Sequence, residues 1–239
     1  ESGGKMKITI AHLYYDLLNL YGECGNVRIL KKILEEQNVD VVVKFLTVDD
    51  KLNFEDYDFV YMGMGIEDNL KIANKHLKKY KKDIQKYIED GKYFICTGNS
   101  YELFGKEIAF ESETIKTLGI FDYKSKILEE RKIMEISAKT DMIDKELIGF
   151  MNTGSTNDNE KENFLKNINN TDENEGIIYK NFIGTYLIGP LLVRNPELLK
   201  LIVKKIIKEK DSKYRLKKIN LDFLEKAYND CLERRKQLI

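Results

Sequence analysis

The run from Gly91 to Gly105, Gly-Lys-Tyr-Phe-Ile-Cys-Thr-Gly-Asn-Ser-Tyr-Glu-Leu-Phe-Gly, constrains the fold more than any other part of the chain. It reads as a short apolar strand, a tight turn and the start of a helix. A sharp strand-to-helix turn lifts one side chain into a pocket rimmed by backbone N–H groups, the geometry of a nucleophile elbow. Two residues contend for its tip, Cys96 and Gly98, and they imply opposite chemistry.

The chain leading to this turn alternates strands and helices. Residues 7–11 are a β-branched first strand. A glycine-bearing loop follows, and Asn26 is expected to cap a helix reaching about Gln37, with Val27, Leu30, Ile33 and Leu34 at helical spacing. Residues 39–48 and Phe59–Met62 supply two more strands, the latter ending in Gly63-Met64-Gly65. Residues 68–90 are expected to form one long amphipathic helix that buries Ile72, Leu77, Tyr80, Ile84 and Ile88 and stops at Asp90-Gly91. The pattern predicts an α/β fold with a central, mostly parallel sheet flanked by helices. Ligands of such sheets bind beyond the carboxyl ends of the strands. Gly63-Met64-Gly65 and the elbow both lie at such ends.

The second half changes character. Strands are expected at 117–123, 132–137 and 147–152, as antiparallel additions. Residues 153–175, rich in Asn, Asp, Glu, Ser and Thr, read as a surface loop. Two further strands flank a Lys180-Asn181 turn, at 176–179 and 182–187. Asn195-Pro196 caps a helix to about Lys208, and 220–237 forms a last amphipathic helix. Residues 1–5 have the look of a tag remnant, and 6–239 reads as a single domain.

Charge narrows the function classes. Lys plus Arg and Asp plus Glu are 40 each, for a net charge of zero, which argues against a nucleic-acid binder. The lysines at 78, 79, 81 and 82 read as a solvated helix face. No stretch approaches the roughly 18 apolar residues of a membrane span. Three dispersed cysteines, Cys24, Cys96 and Cys231, suit reduced thiols in the cytoplasm. His12 and His76 lie in unrelated contexts, His76 on an expectedly exposed helix face, so no metal site and no cofactor is expected.

Several ordered motifs across about residues 7–208 resemble the GatD-type, cobyric-acid-synthase-like members of the class I glutamine amidotransferases. They are the His12–Asn26 stretch, the glycine strand end at 57–65, the elbow, Leu118-Gly119-Ile120-Phe121-Asp122, Gly149-Phe150-Met151-Asn152, and above all Gly184-Thr185-Tyr186-Leu187-Ile188-Gly189-Pro190-Leu191-Leu192. The resemblance implies a domain that hydrolyses glutamine and passes ammonia to a MurT-like, ATP-dependent Mur-ligase subunit, the pair amidating the stem-peptide glutamate of lipid II. That chemistry needs an elbow cysteine thiolate, a histidine base and backbone N–H donors for the oxyanion.

The chain departs from the family where the chemistry sits. The family elbow reads Ile-Cys-Gly-Gly-Tyr-Gln-Leu-Leu-Gly. Aligned without gaps, Tyr101 meets its tyrosine and Glu102 its glutamine, so the nucleophile position falls on Gly98 and Cys96 lies two residues early, in the strand. The family's base histidine in Gly-Thr-Tyr-Leu-His-Gly-Pro is here Ile188, which accepts no proton. The family's Asn-His-Gly-Gly is Asn152-Thr153-Gly154-Ser155 here.

The leading expectation is therefore a non-hydrolytic subunit, structural or regulatory, partnering a MurT-like ligase. It retains a pocket or oxyanion cradle at Gly63, Gly65, Asn99, Ser100 and Glu102, with Arg131 and Asn152 as candidate substrate or partner contacts. An active glutaminase using Cys96, and a small-molecule binding module taking glutamine or a relative, stand as alternatives.

Overall fold

The computed structural model describes residues 5–237. Residues 1–4, within the expected tag remnant, lie outside the described residues. The first half runs β1 (Lys7–Leu13), α1 (Gly25–Glu36), β2 (Asp40–Leu46), β3 (Phe59–Met62), α2 (Glu67–Leu77), α3 (Lys81–Glu89) and β4 (Tyr93–Thr97). The second half adds β5 (Glu107–Ala109), β6 (Thr114–Lys116), β7 (Lys124–Thr140), β8 (Ile143–Asn157), β9 (Ile177–Tyr179), β10 (Phe182–Thr185), α4 (Leu191–Arg194), α5 (Pro196–Lys210) and α6 (Asp222–Gln237).

Six strands form the central sheet in the order β2-β1-β3-β4-β10-β9. The first five are mutually parallel and β9 closes the edge antiparallel to β10. β3 and β4 are buried at every position, as continuous apolar strands covered on both faces must be. The carboxyl ends of β1, β3, β4 and β10 consequently lie side by side. A second, four-stranded sheet, β6-β5-β7-β8, is dominated by the long β7–β8 hairpin. The hairpin docks on the central sheet where Phe150 and Ile188 exchange backbone hydrogen bonds of 3.0 and 2.9 Å. One buried apolar cluster extends from Ile8 to Leu221.

Local structure departs from the sequence reading at several points. The helix expected over 68–90 breaks into α2 and α3 at Lys78–Tyr80, where Tyr80 turns to φ −111° and its hydroxyl accepts the Leu52 N–H. Ile72 is exposed rather than buried, and His76 is buried, its Nδ1 2.9 Å from the Tyr14 hydroxyl. Residues 117–123 are not a strand. Their N–H groups instead satisfy carbonyls of residues 103–106, the orphan acceptors at the end of the elbow segment. Residues 153–157, expected in a loop, complete β8.

Two expected caps have other duties. Asn26 lies inside α1, where its amide nitrogen donates to Glu23 and Tyr61 and its oxygen accepts the Leu192 N–H. Asn195 precedes α5, with Pro196 at its first position, but makes no side-chain cap bond; its amide brackets the Ile148 backbone in β8. Both tie elements distant in sequence, which helical periodicity does not reveal. Among the described residues no helix is long and apolar enough to cross a membrane.

Candidate functional site

Beyond β4 the chain turns into a 3-10 helix, Gly98–Phe104, rather than an α-helix. Gly98 opens it at φ +73°, a left-handed conformation that favours glycine. A Cβ on Gly98 would lie 2.3 Å from the Cβ of Met64 and 2.8 Å from its sulfur. Met64, between the two glycines that end β3, fills the space a side chain at the turn would need.

Cys96 lies two residues back inside β4, between Met62 of β3 and Gly184 of β10, and is fully buried. Burial pushes its thiol well above the ordinary range, against a smaller opposing effect of the Ser100 hydroxyl. A thiol held neutral and sealed from solvent is a poor nucleophile. Ile188 is buried and engaged through its backbone with Phe150.

The strand ends are held by a residue that sequence reasoning missed. Glu23, in the loop after β1, is fully buried. Its carboxylate accepts the Gly189 N–H at 2.7 Å, the Thr97 hydroxyl at 2.8 Å and the Asn26 amide at 3.1 Å. Tyr61 of β3 joins through Thr97, oxygen to oxygen 2.7 Å. Burial raises the Glu23 carboxyl above its usual range, and the donors, led by the Gly189 N–H, oppose that rise. One carboxylate thus links the residues next to Gly98 and Ile188, through the Thr97 side chain and the Gly189 backbone. In sequence it is one acid in a polar loop.

A cavity of about 420 Å³ opens above these strand ends. Gly65, Asn99, Glu102, Arg131 and Asn152 line it together with Met64. Gly63 and Ser100 do not line it. A Cβ on Gly63 would meet the Leu18 carbonyl at 2.3 Å, so this glycine admits the loop after β1. The Ser100 hydroxyl is buried against the carbonyls of Met62 and Thr97. Asn99 spans the crevice, accepting the Gly65 N–H at 3.2 Å and donating to its carbonyl at 2.8 Å. The Gly65 N–H, an expected oxyanion donor, is therefore already engaged.

Arg131 and Glu102 are two of the ionisable residues on this cavity's wall. Arg131 of β7 directs three hydrogen bonds of 2.8–3.1 Å at Asn152 of β8, and none at a carboxylate among the described residues. Asn152 is in turn tethered to the Tyr21 hydroxyl at 3.1 Å. Gly154 leaves room for the guanidinium, since a Cβ there would stand 2.9 Å from Nη1. Glu102 is 1% exposed, and its Oε1 accepts the hydroxyls of Ser155 and Tyr186. Burial pushes its carboxyl up to about 7.

Behind Glu102 lies a second acid, the half-buried Glu175, bonded by the Thr185 and Tyr101 hydroxyls and the Tyr186 N–H. It too is pushed up to about 7 by burial. Glu175 and Tyr186 line a smaller cavity of about 280 Å³ on the far side of Ser155. Glu175 comes from the stretch expected to be a solvated loop, and only the tertiary fold turns it inward.

A model of the CobB/CobQ-like glutamine amidotransferase domain matches residues 9–196. The chain belongs to this family. It is 29% identical over 220 residues to the GatD subunit of lipid II isoglutaminyl synthase (glutamine-hydrolyzing) from Staphylococcus aureus strain N315, covering 90% of each chain. With the GatD subunit from Streptococcus pneumoniae it shares 29% over 235 residues, 95% of this chain and 87% of the other. Crystal structures of glutamine amidotransferases share the fold. One from Thermotoga maritima superposes with a TM-score of 0.50 at 14% identity, covering 88% of this chain and 87% of its own. Another gives 0.52 at 12% identity, covering 82% and 97%. The α/β amidotransferase fold and the GatD-type resemblance read from the sequence hold. Within this CobB/CobQ-like fold, the elbow turn carries a glycine at position 98, and Arg131 and Glu102 are among the residues that line the cavity beside it.

Proposed function

We infer that this chain is a non-hydrolysing amidotransferase-like subunit that binds a small amino acid or amide in the Arg131–Glu102 cavity and acts on a MurT-like ligase partner. The observation carrying this reading is the packing of Met64 against Gly98. A nucleophile at the turn would need both a side chain in a left-handed conformation and the space Met64 fills. With Ile188 at the base position, the general base is missing as well. Loss of nucleophile and base together lowers hydrolysis by several orders of magnitude in other hydrolases. The sealed, neutral Cys96 thiol offers no substitute.

What remains can bind. Arg131, pre-oriented by Asn152, presents guanidinium donors suited to a carboxylate. Glu102 supplies an acceptor for an amine or amide. On this reading residues 6–239 act as one domain in the cytoplasm, and the partner ligase draws on free ammonia. Occupancy of the cavity is the signal that the subunit passes on.

The test is glutamine hydrolysis by the purified chain, together with glutamine binding measured by calorimetry. Binding without release of glutamate supports the reading. Glutamate release that disappears in Cys96→Ala overturns it.

A further inference from the structure

β2 is an open edge of the central sheet. It pairs only with β1, and no described residue adds a strand to its outer side. Its seven residues, Asp-Val-Val-Val-Lys-Phe-Leu, contain no proline and no bulge. Natural edge strands are normally short, charged, bulged or covered, because free N–H and C=O groups recruit another strand. Here Val42 is 39% exposed and Phe45 58% exposed. Tyr15, also exposed, packs against Phe45 with ring centroids 5.4 Å apart.

The backbone register says which groups are free. The Asp40 N–H donates to Met6, and the Leu46 carbonyl accepts the Tyr14 N–H. Even-numbered residues of β2 therefore point their peptide groups at β1. Alternation along a strand leaves the N–H and C=O of Val41, Val43 and Phe45 facing outward.

We propose that β2 is a self-association edge, on which a second copy of this chain adds its own β2 antiparallel about a two-fold axis through Val42. This register makes Val41 and Val43 of the two copies the hydrogen-bonded pairs, which are the residues whose peptide groups are free. It sets Val42 against Val42 and, twice over, Asp40 against Lys44. Those residues now hold only loose, exposed ion pairs, Asp40 with Lys5 and Lys44 with Asp56, each at 3.7 Å. Shifting the axis to Val43 sets Asp40 opposite Leu46 and Val42 opposite Lys44. Shifting it to Lys44 sets lysine against lysine. Charge complementarity thus selects both the occupant and the register, because a two-fold contact must be self-complementary. The two central sheets become one continuous sheet, and both carboxyl-end cavities stay open.

Sedimentation of the full chain over a concentration series tests this. A monomer–dimer equilibrium is expected. Val43→Pro removes an outward N–H without touching the β1 ladder and should weaken dimerisation by roughly tenfold or more. Asp40→Lys alone should weaken it, and Asp40→Lys combined with Lys44→Asp should restore it, a rescue that general misfolding cannot mimic. Val42→Cys should crosslink across the axis on mild oxidation, since such a non-hydrogen-bonded pair brings Cα atoms to about 4.5 Å. A chain that stays monomeric throughout the series overturns the proposal. So does a dimer indifferent to Val43→Pro and to the charge exchange.

Discussion

Met64 occupies the room that a side chain on Gly98 would claim, with only 2.3 Å between its Cβ and the Cβ such a side chain would carry. On the proposed reading, the pair accounts for how an amidotransferase-like elbow can persist with glycine at its turn. The turn keeps its left-handed backbone, glycine relieves the strain, and a methionine from the neighbouring strand end fills the gap.

This makes Gly98→Cys a poor restoration. It should release no glutamate from glutamine and should destabilise the fold by about 1–3 kcal/mol through overpacking. Adding Met64→Gly, which removes the Cβ that makes the closest approach, should recover part of that loss, giving a favourable coupling of about 1 kcal/mol in a double-mutant cycle. Urea denaturation of the four proteins measures it; strictly additive effects would contradict the packing.

Glu23 should matter more than its place in a polar loop suggests. Glu23→Ala strands the Gly189 N–H, the Thr97 hydroxyl and the Asn26 amide. We expect a loss of about 3 kcal/mol in unfolding free energy. Glu35→Ala, which removes only an exposed pair with Lys31, should change stability by less than about 0.5 kcal/mol. Equal effects from the two substitutions would show that Glu23 is not the clamp of the strand ends.

Glu102 predicts a pH dependence. Its folded carboxyl titrates near 7, above the ordinary 4.5. Between those values the unfolded chain is ionised while the folded one holds its proton. The stability tied to the neutral carboxyl is therefore complete below about pH 4.5 and lost as pH rises through 7. Up to about 3 kcal/mol is at stake for one such group. Glu102→Gln cannot ionise, so it should be more stable than the parent at pH 8 and nearly equal at pH 4.5. Denaturant midpoints at the two pH values test this, and a parent as stable as the variant at pH 8 would contradict it.

Ligand binding should depend on how Arg131 is held. Arg131→Ala should weaken glutamine binding by roughly 10- to 100-fold, the loss of a charge-assisted hydrogen-bond pair. Asn152→Ala leaves the guanidinium but frees it, and should cost less. Arg131→Lys keeps charge without the planar fork and should not restore full affinity. Calorimetry with glutamine reads all three, and unchanged affinity in Arg131→Ala would remove Arg131 from the site.

Much of the frame was legible before any coordinates. The β-branched runs, the glycines at strand ends and the strand-turn-helix at 91–105 read correctly because their signals are local. The elements that failed answer to distant partners. Residues 117–123 look like a strand but serve the carbonyls that end the 3-10 helix. Asn26 and Asn195 look like caps but bracket remote backbone. His76 looks solvent-facing in a lysine-rich helix, yet Tyr14 from the turn after the first strand covers it.

The site divides the same way. Gly98 and Ile188 stood out by comparison with a known motif. Glu23 and Glu175 did not, because an acid in a polar loop gives no sign of burial. Met64 looked like one more apolar residue between two glycines. Its significance lies in a contact across 34 residues of chain, which no periodicity encodes.

Glutamine hydrolysis by the unmodified chain tests the central claim most directly, with Cys96→Ala measured beside it. We predict no glutamate release above the uncatalysed background in either protein, even at glutamine concentrations that saturate binding. Turnover by the unmodified chain that is abolished in Cys96→Ala would contradict it.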